Sequence, residues 1–177
     1  MITPRLITAC DDGLLVELSE LLIDSVHGGA SVGFLAPLSQ QTAAAYWERT
    51  CAALGEYLFL WVAEVDGKVA GSVQLAACAK ENGRHRAEIQ KLLVHSAYRG
   101  RGIASELMRV AEAAAGSMGH TLLVLDTEVG STAESIYQHL GWQKAGEIPN
   151  YAGRPDGQLI ATAYYYKLMG GRGAHVC

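Results

Sequence analysis

The sequence predicts a mixed α/β fold, and three observations carry that prediction. Strand-type and helix-type apolar periods alternate along the chain; two β-rich runs are joined by Asp66-Gly67; and a mid-chain strand passes through a glycine-arginine turn into a helix. The 177 residues, half of them apolar, suffice for one domain with a sizeable core. We read residues 1–169 as that domain and 170–177 as a tail of low apolar content.

The elements follow in order. Ile2 to Thr8 alternates loosely as a strand, and Asp11-Asp12 supplies helix-start chemistry ahead of Leu14, Leu15, Leu18, Leu21 and Leu22 at helical spacing. His27 to Phe34 is too glycine-rich for a helix, and Ser39 caps a second helix running to about Leu54. Tyr57 to Val65 is aromatic and β-branched, Asp66-Gly67 is a hairpin turn, and Lys68 to Ala79 is its partner strand. After Asn82-Gly83, Arg86 to His95 reads as a mostly apolar central strand that nevertheless carries Glu88, Gln90 and Lys91. A helix from about Gly102 to Met118, a strand from Thr121 to Leu125, a helix from Ser131 to Leu140 and a strand from Leu159 to Leu168 complete the series. Gly153-Arg154-Pro155-Asp156-Gly157 is a turn between the last strands.

Composition removes several function classes. A net charge of -4 with scattered Lys and Arg argues against nucleic acid as partner, because phosphate backbones select clustered cations. No apolar run approaches the roughly 20 residues that span a bilayer, and Met1 to Arg5 lacks a signal peptide's apolar core, so a cytoplasmic protein without a membrane partner is expected. Cys10, Cys51, Cys78 and Cys177 lie far apart, which suggests free thiols and no metal site.

The most informative stretch is Arg99-Gly100-Arg101-Gly102-Ile103-Ala104-Ser105, between the central strand and the helix of Leu107, Met108, Val110 and Ala111. Unpaired backbone N–H groups and the helix dipole make such a junction an anion site, glycines admit a phosphate closely, and the arginines add charge-assisted donors. No Gly-Lys-Ser or Gly-Lys-Thr follows, which excludes a P-loop, and the mid-chain position disfavours a dinucleotide fold. A pyrophosphate on a pantetheine cofactor remains.

These residues resemble the GNAT superfamily of acyl-CoA-dependent N-acetyltransferases. That family's signature here is Arg or Gln, two residues, Gly, one residue, then Gly or Ala, satisfied by Arg99, Gly102 and Ala104. A second signature, Ala-x-x-x-Tyr-x-x-x-Gly-aromatic, is matched by Ala133, Tyr137, Gly141 and Trp142. Val26 to Phe34, Arg86 to Leu92 and Leu125 to Tyr137 resemble the tabtoxin-resistance branch, which detoxifies a β-lactam. The resemblance implies a central, mostly antiparallel mixed sheet of about seven strands flanked by about four helices, acetyl-CoA as cosubstrate and a small-molecule amine as acceptor. It also implies that Leu92, Leu93 and Val94 offer backbone groups to pantetheine, while Arg99, Gly100, Arg101, Gly102, Ile103, Ala104 and Ser105 hold the pyrophosphate. Many members carry Asn where this chain has Gly130, which leaves Ser131 as the neighbouring polar side chain.

Amine acetylation needs a base to free the nucleophile's lone pair and an acid for the departing thiolate. Glu88 on the central strand is the first base candidate; pairing with Arg86 or Lys91 is its structural alternative. Asp126, with Glu128 behind it, ends the next strand and is the second, a role the tabtoxin-resistance resemblance also implies; a turn cap is its alternative. Tyr137 matches the family's general acid, with core packing as the alternative. His27 receives no catalytic role, and Tyr164, Tyr165 and Tyr166 alternate across a late strand. The competing functions are acetylation of a protein or peptide amine and a non-catalytic acyl-CoA-binding module. A sheet edge and an apolar late strand leave room for a homodimer.

Overall fold

The computed structural model describes residues 2–170. Seven strands form one sheet in the order β1-β2-β3-β4-β5-β7-β6. The strands are β1 (Arg5–Ile7), β2 (Leu58–Val65), β3 (Lys68–Ala77), β4 (Arg86–Val94), β5 (Leu122–Glu128), β6 (Gln143–Gly153) and β7 (Leu159–Leu168). The helices are α1 (Asp12–His27), α2 (Gln40–Ala52), α3 (Ile103–Ser117) and α4 (Thr132–His139). All pairings are antiparallel except β4 with β5, so the expected mixed, mostly antiparallel sheet of seven strands and four helices is what the chain forms.

Each face of the sheet has its own core. On one, Leu107, Met108, Ala111 and Ala115 of α3 pack on Val73, Leu75, Ile89, Leu123 and Leu125. On the other, Leu18, Leu21, Leu22 and Val26 of α1 and Trp47 of α2 pack on Leu60, Val62 and Leu93. Burying a Leu or Val side chain stabilises by about 1.5–3 kcal/mol, so the apolar stripe of α1 alone accounts for its docking. Asp11 and Ser39 cap α1 and α2 through their side chains, as the sequence indicates. Asp66 and Gly67 both take left-handed φ (51° and 74°), the geometry of a two-residue hairpin turn.

Three expectations need correction. Cys10 and Cys51, read as free thiols, form a disulfide with Cα atoms 6.0 Å apart. The start of α1 and the end of α2 pack together, and this brings cysteines 41 positions apart into reach. Cys78 is free, while Cys177 and the tail beyond Gly170 lie outside the described residues. Second, β5 does not stop at Leu125 but continues to Glu128, because the β7 tyrosines extend its ladder: Asp126 pairs with Tyr164 and Leu125 with Tyr165. Asp126 is therefore a strand residue and caps no turn. Third, β6 has no clear strand pattern in sequence, since this edge strand is exposed along most of its length and carries Pro149 and two register shifts. Among the described residues no helix is long and apolar enough to cross a membrane.

Candidate active site

The site sits where the sheet opens. β4 and β5 pair only over Arg86–Glu88 and Leu122–Val124. Beyond that point β4 continues on β3 and β5 on β7, so the two parallel strands splay and the backbone of Leu92, Leu93 and Val94 faces a gap instead of a ladder on the β5 side. A bulge in the β3–β4 ladder between Ser72 and Gln74, with Lys91 at φ 48°, coincides with the splay. The bulge also reverses the side-chain alternation. Ala87 and Ile89 join the α3 core, whereas Leu93 joins the α1–α2 core.

The junction after β4 leaves the start of α3 open. Gly100 and Gly102 adopt φ 74° and 77°, and nothing lies within 4 Å of where a Cβ would stand on either, so the approach to the main chain is open. Gly102 caps α3 without a side-chain hydrogen bond, and the first intrahelical bond runs from the Glu106 N–H to the Gly102 carbonyl at 3.1 Å. The N–H groups of Ile103, Ala104 and Ser105 thus have no partner among the described residues, and they point out of the helix's positive end. Gly71 lets this helix end settle: a Cβ there would stand 2.8 Å from the Leu93 carbonyl oxygen and 3.0 Å from both Ile103 and Leu107 side chains.

The two arginines behave differently. Arg101 stacks over the Tyr98 ring at 5.4 Å. Arg99 turns back, its Nε donating to the Val94 carbonyl at 3.4 Å and its charge felt by Asp24. Asp24, on α1, was not singled out by its sequence, yet it fastens the loop by accepting from the Ser96 N–H at 2.8 Å and the Ser96 hydroxyl at 2.6 Å. Burial raises the Asp24 carboxyl, but the two Ser96 bonds and the His95 and Arg99 charges outweigh it and hold the pKa below its ordinary value.

Glu88, Val124, Leu125, Asp126, Tyr151 and Tyr164 line a pocket of about 290 Å³ on the splayed side of the sheet. Glu88 and Asp126, separated by 38 positions, are thus brought together. Neither makes a hydrogen bond or an ion pair among the described residues, so the pairing of Glu88 with Arg86 or Lys91 does not form. Glu128 is held by Arg154, whose Nε donates at 2.7 Å. The Tyr164 phenol is pushed up to about 12, first by the Tyr151 hydroxyl, then by burial and the charges of Asp126 and Glu88. Sequence reasoning missed Tyr151, which lies in the irregular stretch of β6, whereas the alternation of Tyr164, Tyr165 and Tyr166 left open which of them faces the pocket, and the β5–β7 register puts Tyr164 beside Asp126.

Tyr137 lies on α4 with its ring buried and 6.2 Å from that of Trp142. Its hydroxyl makes no hydrogen bond among the described residues and is not sealed from solvent. Burial first and the Asp126 charge second raise its pKa well above the ordinary value, which keeps the phenol protonated. Ser131 is engaged locally as the cap of α4, accepting from the Glu134 N–H at 3.1 Å. Glu134 in turn accepts from the Gly130 N–H and the Tyr165 hydroxyl, both at 2.6 Å, which fixes α4 and with it Tyr137. His27 accepts from the Leu38 N–H at 3.1 Å and so orders the glycine-rich loop.

Comparison with known proteins bears on the family and the fold. The chain is 42% identical over 89 residues to N-acetyltransferase family 8 member 2 of Rattus norvegicus, a match covering 49% of this chain and 39% of the relative. The chain thus spans well under half the length of the curated relatives it matches. An acetyltransferase fold from Salmonella typhimurium, solved with its cofactor acetyl-CoA, superposes with a TM-score of 0.76 at 20% identity, over 98% of this chain and 97% of that one. The ribosomal-protein-alanine N-acetyltransferase of Brucella melitensis superposes with a TM-score of 0.76 at 18% identity, over 93% and 99%. At these identities the two structures speak for the fold. The model of the acetyltransferase (GNAT) family matches residues 29–142, which hold both the open helix junction and the facing carboxylates, and the chain belongs to that family.

Proposed function

We propose that this protein transfers an acetyl group from acetyl-CoA to the primary amine of a small molecule. One observation carries the reading: a helix end with free amides opens beside the same splay where Glu88 of β4 and Asp126 of β5, both unpaired among the described residues, line one pocket. The amides of Ile103, Ala104 and Ser105, with Arg99 and Arg101, suit a pyrophosphate. The unpaired edge of Leu92 to Val94 suits the amides of a pantetheine arm laid along it as an added strand. Acetyl-CoA supplies an activated thioester there. Glu88 and Asp126 take the proton that blocks the amine's lone pair, and the protonated Tyr137 hydroxyl serves the departing sulfur.

The acceptor side favours a small molecule over an extended peptide. The Ala36 N–H donates to the Pro155 carbonyl at 2.8 Å and the Ser31 hydroxyl to the Gly153 carbonyl at 3.3 Å, so the loop after α1 is tied to the β6–β7 turn beside Tyr151. The pocket itself, of about 290 Å³, suits a compact ligand. The tabtoxin-resistance resemblance puts a β-lactam toxin bearing a free amine among the acceptors to test. The Brucella melitensis neighbour's name makes a protein amino terminus the competing acceptor.

Thiol release from acetyl-CoA tests the assignment of the bases. Glu88→Gln and Asp126→Asn together should lower kcat by about 10²–10⁴ while CoA affinity stays within a few fold. Turnover equal to wild type rejects both carboxylates.

A further inference from the structure

We infer that Lys91 is a specificity-determining residue that receives a carboxylate of the acceptor, so that the preferred substrate is an amino acid, held by its ammonium at Glu88 and Asp126 and by its carboxylate at Lys91. This rests on the activity proposed above.

Lys91 is a poor choice for the middle of a central strand unless its charge is used. It sits at φ 48°, in the left-handed region that a side chain other than Gly, Asn or Asp rarely occupies, at a conformational cost of about 1–3 kcal/mol. The bulge at this point re-aims the side chain. Its direction is fixed by what it meets: Nζ stands 5.6 Å from the Tyr46 ring centre, and that ring is held by Gln74, whose amide donates to the Tyr46 hydroxyl at 2.9 Å. The α2 helix therefore supplies an aromatic rest for the ammonium.

Burial lowers the Lys91 pKa, against the opposing pull of Asp126 and Glu88, which places those carboxylates within electrostatic range. Even so, Lys91 forms no ion pair within 4.0 Å among the described residues. A partly desolvated cation near two carboxylates yet bonded to neither has its hydrogen-bond donors free for another anion. The side chain is only partly buried, and its neighbour across the loop carries no side chain of its own. Gly33, at φ 94°, borders the ammonium, and a Cβ there would stand 4.0 Å from Nζ.

The charges select the ligand. Glu88 and Lys91 lie three positions apart on β4, with Asp126 on the neighbouring β5, so an ammonium and a carboxylate carried on one carbon can meet charges of opposite sign in the same opening. Two site carboxylates and one lysine leave one net negative charge, which tolerates a net-neutral zwitterion and disfavours a ligand with a further anionic group. A phosphonate dianion would bring a second negative charge towards Glu88 and Asp126.

The test compares acceptors that differ only in the carboxylate: a panel of α-amino acids against their carboxamides, followed by thiol release from acetyl-CoA, with melting-temperature shifts recorded in 10 mM of each compound. Wild type should prefer acid to amide by at least 30-fold in kcat/KM, and Lys91→Met should lower that ratio at least tenfold through KM, with Lys91→Arg recovering part of it. The thermal shift caused by the acid, and not by the amide, should vanish in Lys91→Met. Equal use of acid and amide by wild type, or an undiminished preference in Lys91→Met, overturns the inference and leaves the transferase reading standing. A Lys91-dependent thermal shift without any thiol release overturns the transferase reading and supports the carboxylate anchor. Methionine preserves the unbranched stem, and the melting temperature of Lys91→Met without ligand reports that the fold is intact.

Discussion

Tyr137→Phe separates the two roles that its position permits. The substitution deletes one hydroxyl and keeps the ring that packs 6.2 Å from Trp142. Because that hydroxyl makes no hydrogen bond among the described residues, its loss leaves no partner unsatisfied, and stability should change by under about 1 kcal/mol. For a chain of this length that is a shift of at most about 4 °C in melting temperature. Catalysis should respond far more. Loss of a positioned general acid lowers kcat by about 10²–10⁴, which at 1.36 kcal/mol per tenfold is roughly 3–5 kcal/mol of barrier. The pH dependence has a definite sign. With its pKa raised above 10 by burial and by Asp126, the phenol stays protonated through neutral and mildly alkaline pH, so it contributes no fall in wild-type kcat between pH 7 and 9.5. In the unfolded chain the phenol ionises near its ordinary value, so its contribution to stability is whole below about pH 10 and is lost above it. The assay is chromogenic detection of released CoA thiol across that pH range, alongside thermal unfolding. A kcat within threefold of wild type at unchanged stability would refute the assignment and return Tyr137 to core packing alone.

Three further outcomes follow from the same geometry. Gly71→Ala forces a methyl against the Leu93 carbonyl, Ile103 and Leu107, and should cost about 1–3 kcal/mol; calorimetry should show a melting temperature lower by roughly 2–12 °C and weaker CoA binding as α3 is lifted, and a full-stability variant would contradict the packing. Arg99→Ala with Arg101→Ala should weaken CoA binding about tenfold or more and flatten its salt dependence, and wild-type affinity by titration calorimetry would refute an ionic phosphate contact. Cys10→Ser with Cys51→Ser opens a loop of about 40 residues, for which chain entropy gives about 4 kcal/mol; equal denaturant midpoints for variant and wild type would show that the cross-link does not form.

Much of this architecture was legible because local chemistry and tertiary role coincide. Asp66-Gly67 demands left-handed backbone and received it, Ser39 caps α2, and Arg99 to Gly102 joins a strand to a helix by the only residues that leave the amides bare. Glu88 was legible as a polar intruder in an apolar strand. Features that depend on two distant elements were not legible. The Cys10–Cys51 bond needs the packing of α1 on α2, and the Asp24 grip on Ser96 needs α1 to lie beside the loop entering α3. Tyr151 needs a β6–β7 register broken by two shifts, and Tyr164 needs the β5–β7 register that sets it beside Asp126. Lys91 was legible, with Glu88, as a polar residue in that strand, but its direction was not: its left-handed backbone coincides with the bulge, and lysine carries no propensity that announces it.

The most direct measurement is thiol release from acetyl-CoA in the presence of amino acids, polyamines, aminoglycosides, tabtoxinine-β-lactam and a pool of peptide amines. An acetyltransferase with a compact acceptor pocket lined by two carboxylates should release thiol with one class of small amine and not with the peptides. CoA binding without release for any amine would contradict it and leave an acyl-CoA-binding protein, while release with peptides alone would assign the pocket to a protein terminus.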